Sequence, residues 1–346
     1  MDAPVRGVRP ADRFCIAALD DYGRAIGVHP AWRRLEARVQ VRSFESHLSG
    51  EEELVEKLKG YQGVVLTRER TPMTASVMEQ LPRLELILTQ GTRLDNTVID
   101  IDAASRRGVL VCGTNSRAGT PSTVELAWGL IFAVLRRIPA ADLALRRGSW
   151  NPYPGRGLGG KAIGIVGLGK SGSRMVPIAR AFGMRVLAWS THLREKEAEM
   201  LGATAVSRDR LFGESDVVSV HVRLSTRSRG YVNAEDLRRM KPTSILINTS
   251  RGAIVDEVAL VDALREHRIA GAGLDVFLSE PLAEEHPFRH LPTTVLTPHV
   301  GYATDEFFDA HVPELVEDVH AFCVGRPIRV LNPSGSRGAA DGRVGE

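Results

Sequence analysis

The chain of 346 residues is 43% hydrophobic and 25% charged with a formal net charge of +3, the balance of a soluble globular protein long enough for two domains. Its basic residues are nearly all Arg, and pairs such as Arg136-Arg137 and Arg238-Arg239 are scattered among acids, so they read as solvated helix faces and not as a nucleic-acid stripe. The N-terminal residues lack the apolar stretch of a secretory signal, and the longest apolar run (126–135) is about half a membrane span. Cys15, Cys112 and Cys323 show no paired spacing, so the expectation is a cytoplasmic protein with free thiols and no membrane or nucleic-acid partner.

In chain order, apolar runs at 13–21, 39–44, 63–68, 84–90 and 108–114 predict strands, separated by stretches such as GEEELVEKLKG with helical spacing. That alternation predicts an α/β domain with a parallel sheet covered on both faces. A loop at 116–123 carries a helix-start signal and leads into VELAWGLIFAVLRRI. A helix apolar nearly all round is expected to be buried, between domains or at a subunit contact. The glycine cluster GRGLGG at 155–160 precedes a strand and reads as a flexible linker.

A second alternation starts with KAIGIVGLG (161–169) and runs through RVLAW, DVVSVHV (216–222), SILINTS (244–250), AGLDV (272–276) and TTVLTP (293–298). Between its first strand and the following helical pattern lies Gly167-Leu168-Gly169-Lys170-Ser171-Gly172. A structural turn would also use glycines. In this context, though, Gly167 permits the tight turn, Gly169 lets the backbone approach a pyrophosphate and Gly172 allows close helix–strand packing. The helix end adds amides and a positive dipole. Pro177 removes one donor early in that helix. After the next strand a carboxylate is the usual partner of the ribose hydroxyls, but Ser190, Thr191 and His192 stand there, with Arg194 beyond.

Three polar residues follow apolar strands of this second unit: Arg251 after SILINTS, Glu280 after AGLDVFLSE and His299 after TTVLTP. Each alone also fits a surface Arg, a loop Glu or a helix-capping His. Together at strand C-termini they suit carbonyl reduction. Arg grips a carboxylate bidentately and polarises a ketone, His protonates the developing alkoxide, and Glu fixes the His tautomer. HPFRH (286–290) lacks the spacing and partners of a metal site, so no metal is expected.

The segments LINTSRGAIVDEVAL, AGLDVFLSEPL and TPHVGY, in that order after GLGKSG, resemble those of the D-isomer-specific 2-hydroxyacid dehydrogenases over about residues 13–333. The resemblance implies two doubly wound parallel-sheet domains. One is a Rossmann dinucleotide-binding domain at 119–301, the other a discontinuous flavodoxin-like substrate domain at 1–118 and 302–334; residues 335–346 read as a disordered tail. It implies that Arg251 binds substrate, that His299 is the acid/base paired with Glu280, and that Asp275 approaches the nicotinamide. It also implies that His221 and Thr249 line the cofactor groove. Backbone at Gly91 and Thr92 would hold the substrate carboxylate, with Arg93 at the tip of their loop. Arg68 and Arg70 would line the substrate side, where one of them reads a second anionic or polar group unless they form salt bridges with Glu69 or nearby acids. A homodimer through the cofactor domain is implied as well, with helix 124–138 suited to the contact. Without a carboxylate at Ser190 the expected cofactor is NAD or NADP, with a slight lean to NADP. The substrate stays open among glyoxylate, hydroxypyruvate, phenylpyruvate and phosphorylated acids. A nucleotide-sensing, corepressor-like binding protein on the same fold is the alternative to a 2-oxoacid reductase.

Overall fold

The computed structural model describes residues 13–68, 70–90, 98–114, 119–150 and 154–332. The expectations for Glu69, Gly91, Thr92, Arg93 and the tail from residue 335 lie outside the described residues. The chain divides into two compact units, Met1–Ala118 with Thr304–Glu346, and Gly119–Ala303.

In the first unit β1 (Phe14–Ala18), β2 (Val39–Ser43), α1 (Glu51–Leu58), β3 (Gly63–Val65) and α2 (Ala75–Glu79) follow one another. They continue into β4 (Leu86–Gln90), α3 (Ile101–Arg107) and β5 (Leu110–Thr114). The strands are all parallel in the order β2-β1-β3-β4-β5. The chain direction therefore reverses across the sheet between β1 and β3, the place where ligands of such sheets bind. Local chemistry sets the helix ends. Thr74 and Asp100 accept the backbone N–H groups of Val77 and Ala103, and Gly108 closes α3 at φ 71.

The second unit opens with α4 (Gly119–Arg136) and α5 (Ile138–Arg146). Then come β6 (Ala162–Val166), α6 (Gly172–Ala181), β7 (Arg185–Trp189), α7 (Glu195–Met200), β8 (Thr204–Ala205) and α8 (Arg208–Glu214). The second half holds β9 (Val217–Val220), α9 (Ala234–Arg239), β10 (Ile245–Asn248), α10 (Glu257–Arg265), β11 (Gly271–Leu274), α11 (Pro287–His290) and β12 (Thr294–Leu296). Their order, β12-β11-β10-β9-β6-β7-β8, is again wholly parallel, with the reversal between β6 and β9. A last helix, α12 (Asp305–Cys323), returns to the first unit. There Val312, Leu315, Val316, Val319 and Phe322 cover Phe14, Ile16, Leu86 and Leu88. Each such side chain contributes roughly 1.5–3 kcal/mol on burial.

Residues 155–160 differ from the sequence reading, and the packing of α4 and of Pro177 has equally local causes. The apolar helix α4 is absorbed by its own unit: Val124, Ala127, Trp128, Leu130, Ile131 and Leu135 join the core on one face of the seven-stranded sheet. Its approach is close enough that a Cβ on Gly273 would stand 2.9 Å from Leu130 Cβ. The apolar surface left open belongs to α5, which buries none of its residues and exposes Ile138, Leu143 and Leu145. Residues 155–160 are no flexible linker. Leu158 is buried in the core, Arg156 N–H donates to Leu135 O, Gly160 N–H donates to Gly183 O, and the Arg156 guanidinium reaches Thr243 O. Pro177 sits on the exposed side of α6, which runs unbroken through it.

Candidate active site

The glycine turn leaves the C-terminal end of β6 at the reversal of the second sheet. Gly167 has φ 94, and a Cβ there would meet His221 O at 2.9 Å. A Cβ on Gly172 would lie 2.1 Å from Gly167 O, so this glycine is what lets α6 start against the turn. Gly169 differs: nothing lies within 4 Å of its Cβ position, and Gly169 and Lys170 are exposed. Two glycines are thus spent on packing and one opens the backbone outward, next to the N-terminal end of α6 with Ser171 as its cap residue. That is the arrangement a pyrophosphate needs.

Along the same strand ends, His221 follows β9 and its Nε2 lies 2.8 Å from Ser219 Oγ. Burial pushes this imidazole down to about 4, so it is neutral at ordinary pH. Thr249, after β10, is buried, and its Oγ1 has no hydrogen-bond partner among the described residues. A buried hydroxyl in that state fits a polar ligand group lying along the groove. On the other side of the reversal, Ser190, Thr191 and His192 follow β7, the last two exposed. Thr191 Oγ1 meets Tyr231 Oη at 2.8 Å, and Tyr231 stacks on Trp189 with ring centroids 5.2 Å apart. Arg208 lies against both rings and grips Asp236 bidentately at 2.7 and 2.5 Å. Arg194 is engaged by Glu197 three residues on.

The chemical groups stand at the ends of β10, β11 and β12, which are neighbours in the sheet. Arg251 follows the Asn248 turn, in which Asn248 Oδ1 accepts Ser250 N–H and its Nδ2 donates to Arg251 O. Glu280 closes the loop after β11, its Oε1 accepting Phe277 N–H at 3.0 Å. His299 is 8% exposed, and its Nδ1 lies 2.6 Å from Glu280 Oε2. An ionised carboxylate only accepts, so this contact places the ring's N–H on Nδ1 and makes Nε2 the acceptor nitrogen. The backbone at His299 is left-handed (φ 54), an uncommon state for a residue with a side chain.

Asp275 explains how that turn is held. Its Oδ1 accepts Thr297 Oγ1 at 2.6 Å and Val300 N–H at 2.9 Å, while Oδ2 accepts Gly301 N–H at 2.8 Å. Burial pushes its carboxyl upward against these bonds. Both oxygens of the residue expected near the nicotinamide are thus committed to the loop bearing His299. Below Glu280 a second pair braces the same loop: Glu257 accepts Leu278 N–H at 3.0 Å and meets His286 Nε2 at 3.2 Å. Gly252 matters sterically, since a Cβ there would sit 2.0 Å from Phe277 C. Sequence reasoning missed Gly252, Glu257, His286, Thr297 and Tyr231. Four of them lie inside segments already read, Gly252 and Glu257 in LINTSRGAIVDEVAL, His286 in HPFRH and Thr297 before the PH of TPHVGY, but nothing local marked what they touch.

In the first unit Arg68 and Arg70 follow β3, on one flank of its reversal. The Arg68 guanidinium lies over the Phe307 ring at 5.7 Å and that of Arg70 over Tyr22 at 5.2 Å. Tyr22 Oη donates to Asp20, a buried carboxylate that also takes His47 Nδ1 at 2.9 Å and Thr71 Oγ1 at 2.6 Å. Among the described residues no group of three or more His, Cys, Asp or Glu side chains is placed to hold a metal ion. No helix of the described residues is long and apolar enough to cross a membrane.

A parallel seven-stranded sheet with a glycine turn at its reversal and an open backbone beside a helix end defines a dinucleotide-binding α/β protein. Residues 128–301 match the family model for the D-isomer specific 2-hydroxyacid dehydrogenase, NAD binding domain. The chain is 38% identical over 289 residues to a glyoxylate reductase of Thermococcus litoralis, covering 81% of this chain and 86% of that one. It is 36% identical over 282 residues to a D-3-phosphoglycerate dehydrogenase of Synechocystis sp., of which it spans 50%. A crystal structure of a phosphoglycerate oxidoreductase from Vibrio cholerae superposes with a TM-score of 0.84 at 34% identity, covering 90% of this chain and 99% of that one. The chain belongs to the D-isomer-specific 2-hydroxyacid dehydrogenase family.

Proposed function

We propose that the protein is an NAD(P)-dependent oxidoreductase interconverting a 2-oxo acid and a D-2-hydroxy acid. The observation that carries this reading is the His299–Glu280 contact of 2.6 Å, at a strand end beside the one that bears Arg251. Gly167, Gly169, Lys170, Ser171 and Gly172 would hold the pyrophosphate, with Thr249, His221 and Asp275 along the groove. A bound nicotinamide supplies or accepts the hydride. Arg251 holds the substrate carboxylate and polarises the adjacent carbonyl. His299 gives the proton from Nε2 to the carbonyl oxygen, or takes it back in the oxidative direction, and Glu280 stabilises the imidazolium between. One of Arg68 and Arg70 would read a second anionic or polar group of the substrate, while Gly91 and Thr92 remain candidates for its carboxylate. His299→Ala and Arg251→Ala should each remove most turnover in a screen of 2-oxo acids and leave cofactor binding intact. Full activity in either variant would end this reading, and a wild type inactive on every acid would favour a nucleotide sensor.

Both cofactors are proposed to serve, with a slight lean to NADP. Ser190 offers no carboxylate to repel a 2′-phosphate, yet the nearest following cation, Arg194, is already engaged by Glu197. Ser190→Asp should raise the KM for NADPH well above that for NADH; no change would refute the assignment. A homodimer in the cytoplasm completes the proposal. The exposed apolar residues Ile138, Leu143 and Leu145 of α5 and Trp150, 83% exposed, support the contact. Leu145→Glu should shift the sedimentation coefficient to that of a monomer.

A further inference from the structure

Arg68 is held in a way that its proposed task alone does not require. Its backbone is left-handed (φ 59), and its guanidinium lies 5.7 Å from the centre of the Phe307 ring. Phe307 stacks in turn on His311, with centroids 5.1 Å apart and planes 24° from parallel. His311 Nδ1 meets Thr114 Oγ1 at 2.9 Å, at the end of β5. Phe307 and His311 are four residues apart on α12 and so share one face of it. Phe307 N–H is capped by Thr304 Oγ1 at 3.3 Å, which fixes the first turn of α12. Three elements, β3, α12 and β5, therefore meet in one column that ends on the guanidinium.

The middle of the column has an unusual composition for a purely structural core. Phe307 and His311 are 3% and 0% exposed. A leucine or phenylalanine at 311 would fill the space without a polar atom, yet the imidazole Nε2 is buried with no hydrogen-bond partner among the described residues. Burial, with Arg68 adding to it, holds His311 down to about 3. A neutral ring thus stacks on Phe307, the same ring that carries the Arg68 guanidinium.

We propose that Phe307 and His311 are positioning residues that fix the Arg68 guanidinium for 2-oxo acids bearing a second anionic group. This rests on the oxidoreductase reading above. Phe307→Leu removes the π-face and keeps apolar bulk, Phe307→Tyr restores the face, and a trifluorinated phenylalanine at 307 keeps the shape while weakening the ring quadrupole. The KM values for oxaloacetate and for 3-phosphohydroxypyruvate, with glyoxylate as the single-anion control, are measured with each protein, the two larger acids separating a carboxylate from a phosphate. In the leucine and fluorinated variants the KM of at least one two-anion acid should rise roughly three- to thirty-fold, the span of such contacts from exposed to desolvated. Its kcat at saturation and the glyoxylate KM should stay within about two-fold, and Phe307→Tyr should return the KM to wild type. The fluorinated variant answers the question even if the leucine variant fails to fold. An unchanged KM for both two-anion acids, or a parallel rise for glyoxylate, overturns the proposal. If no acid is turned over, calorimetric binding of oxaloacetate in the presence of NADH reads the column alone. Affinity lost in the fluorinated variant then supports it although the reductase reading has failed, and unaltered affinity overturns it.

Discussion

Adding one methyl group at Gly252 should damage the site more than adding one at Gly169, although Gly169 is the glycine proposed to face the pyrophosphate. At Gly252 the new Cβ would lie 2.0 Å from Phe277 C, 2.1 Å from Phe277 O and 2.4 Å from Leu278 N. All three are backbone atoms, and ordinary carbon contacts begin near 3.5 Å, so the segment must retreat by about 1.5 Å. Phe277 and Leu278 lie in the loop that carries Glu280, and the Phe277 N–H is itself bound to Glu280 Oε1. A shift of that size would stretch the 2.6 Å contact between Glu280 and His299 to about 4 Å, beyond a hydrogen bond. Overpacking of this kind costs about 1–3 kcal/mol, which for a unit of this size is a fall in Tm of roughly 2–12 °C. A misplacement of about 1 Å costs on the order of a hundredfold in turnover. Gly169→Ala meets nothing within 4 Å, so its Tm should match wild type while its cofactor KM rises. Differential scanning calorimetry and steady-state kinetics on the two variants test this together. A Gly252→Ala protein with Tm within about 1 °C of wild type and kcat within two-fold would refute the steric account.

Asp318 is fully buried and lifted to about 6 by burial, although Arg329 Nε donates to it at 2.8 Å. Since its folded value lies above the unfolded one, its neutral form favours the fold and that contribution is lost as pH rises through about 6. Arg329→Met removes the pairing cation, so its stability deficit should be about 3–5 kcal/mol at pH 7.5 and clearly smaller at pH 4.5; equal deficits would refute the assignment. His221 and His311, held down to about 4 and about 3, should show no imidazolium signal by NMR above pH 5. Their depressed values mean that stability they contribute as neutral rings is lost as pH falls from about 6.5 through those values. A transition near pH 6.5 for either ring would contradict its burial.

The strands were legible because a parallel sheet buried on both faces leaves near-continuous apolar runs, and every run so read is a strand of the structure. Arg251, Glu280 and His299 were legible for the opposite reason: each is polar where such a run stops. What covers an apolar helix was not legible. The pattern of α4 shows an apolar surface but not its partners, of which the sheet of its own unit is one. Steric glycines were equally silent, since the neighbour of Gly252 comes 25 residues later and is backbone. Long-range pairs such as Glu257 with His286 leave no local pattern. The engagement of Arg194 by Glu197, three residues on at helical spacing, is by contrast an interaction the sequence did contain.

The division of the chain sets the order in which it can be completed on the ribosome. Residues 1–118 emerge without the helix that covers Phe14, Ile16, Leu86 and Leu88, and without Asn332, whose Oδ1 accepts Val111 N–H at 2.8 Å. The whole second unit, 119–303, is synthesised before α12 appears, an interval of about 10–40 s at ordinary elongation rates. By its end the second unit has all of its strands, while the five-stranded sheet still keeps one apolar face open. Nascent chains should bind a chaperone holdase through that face and release it only once residues past Phe322 have left the tunnel.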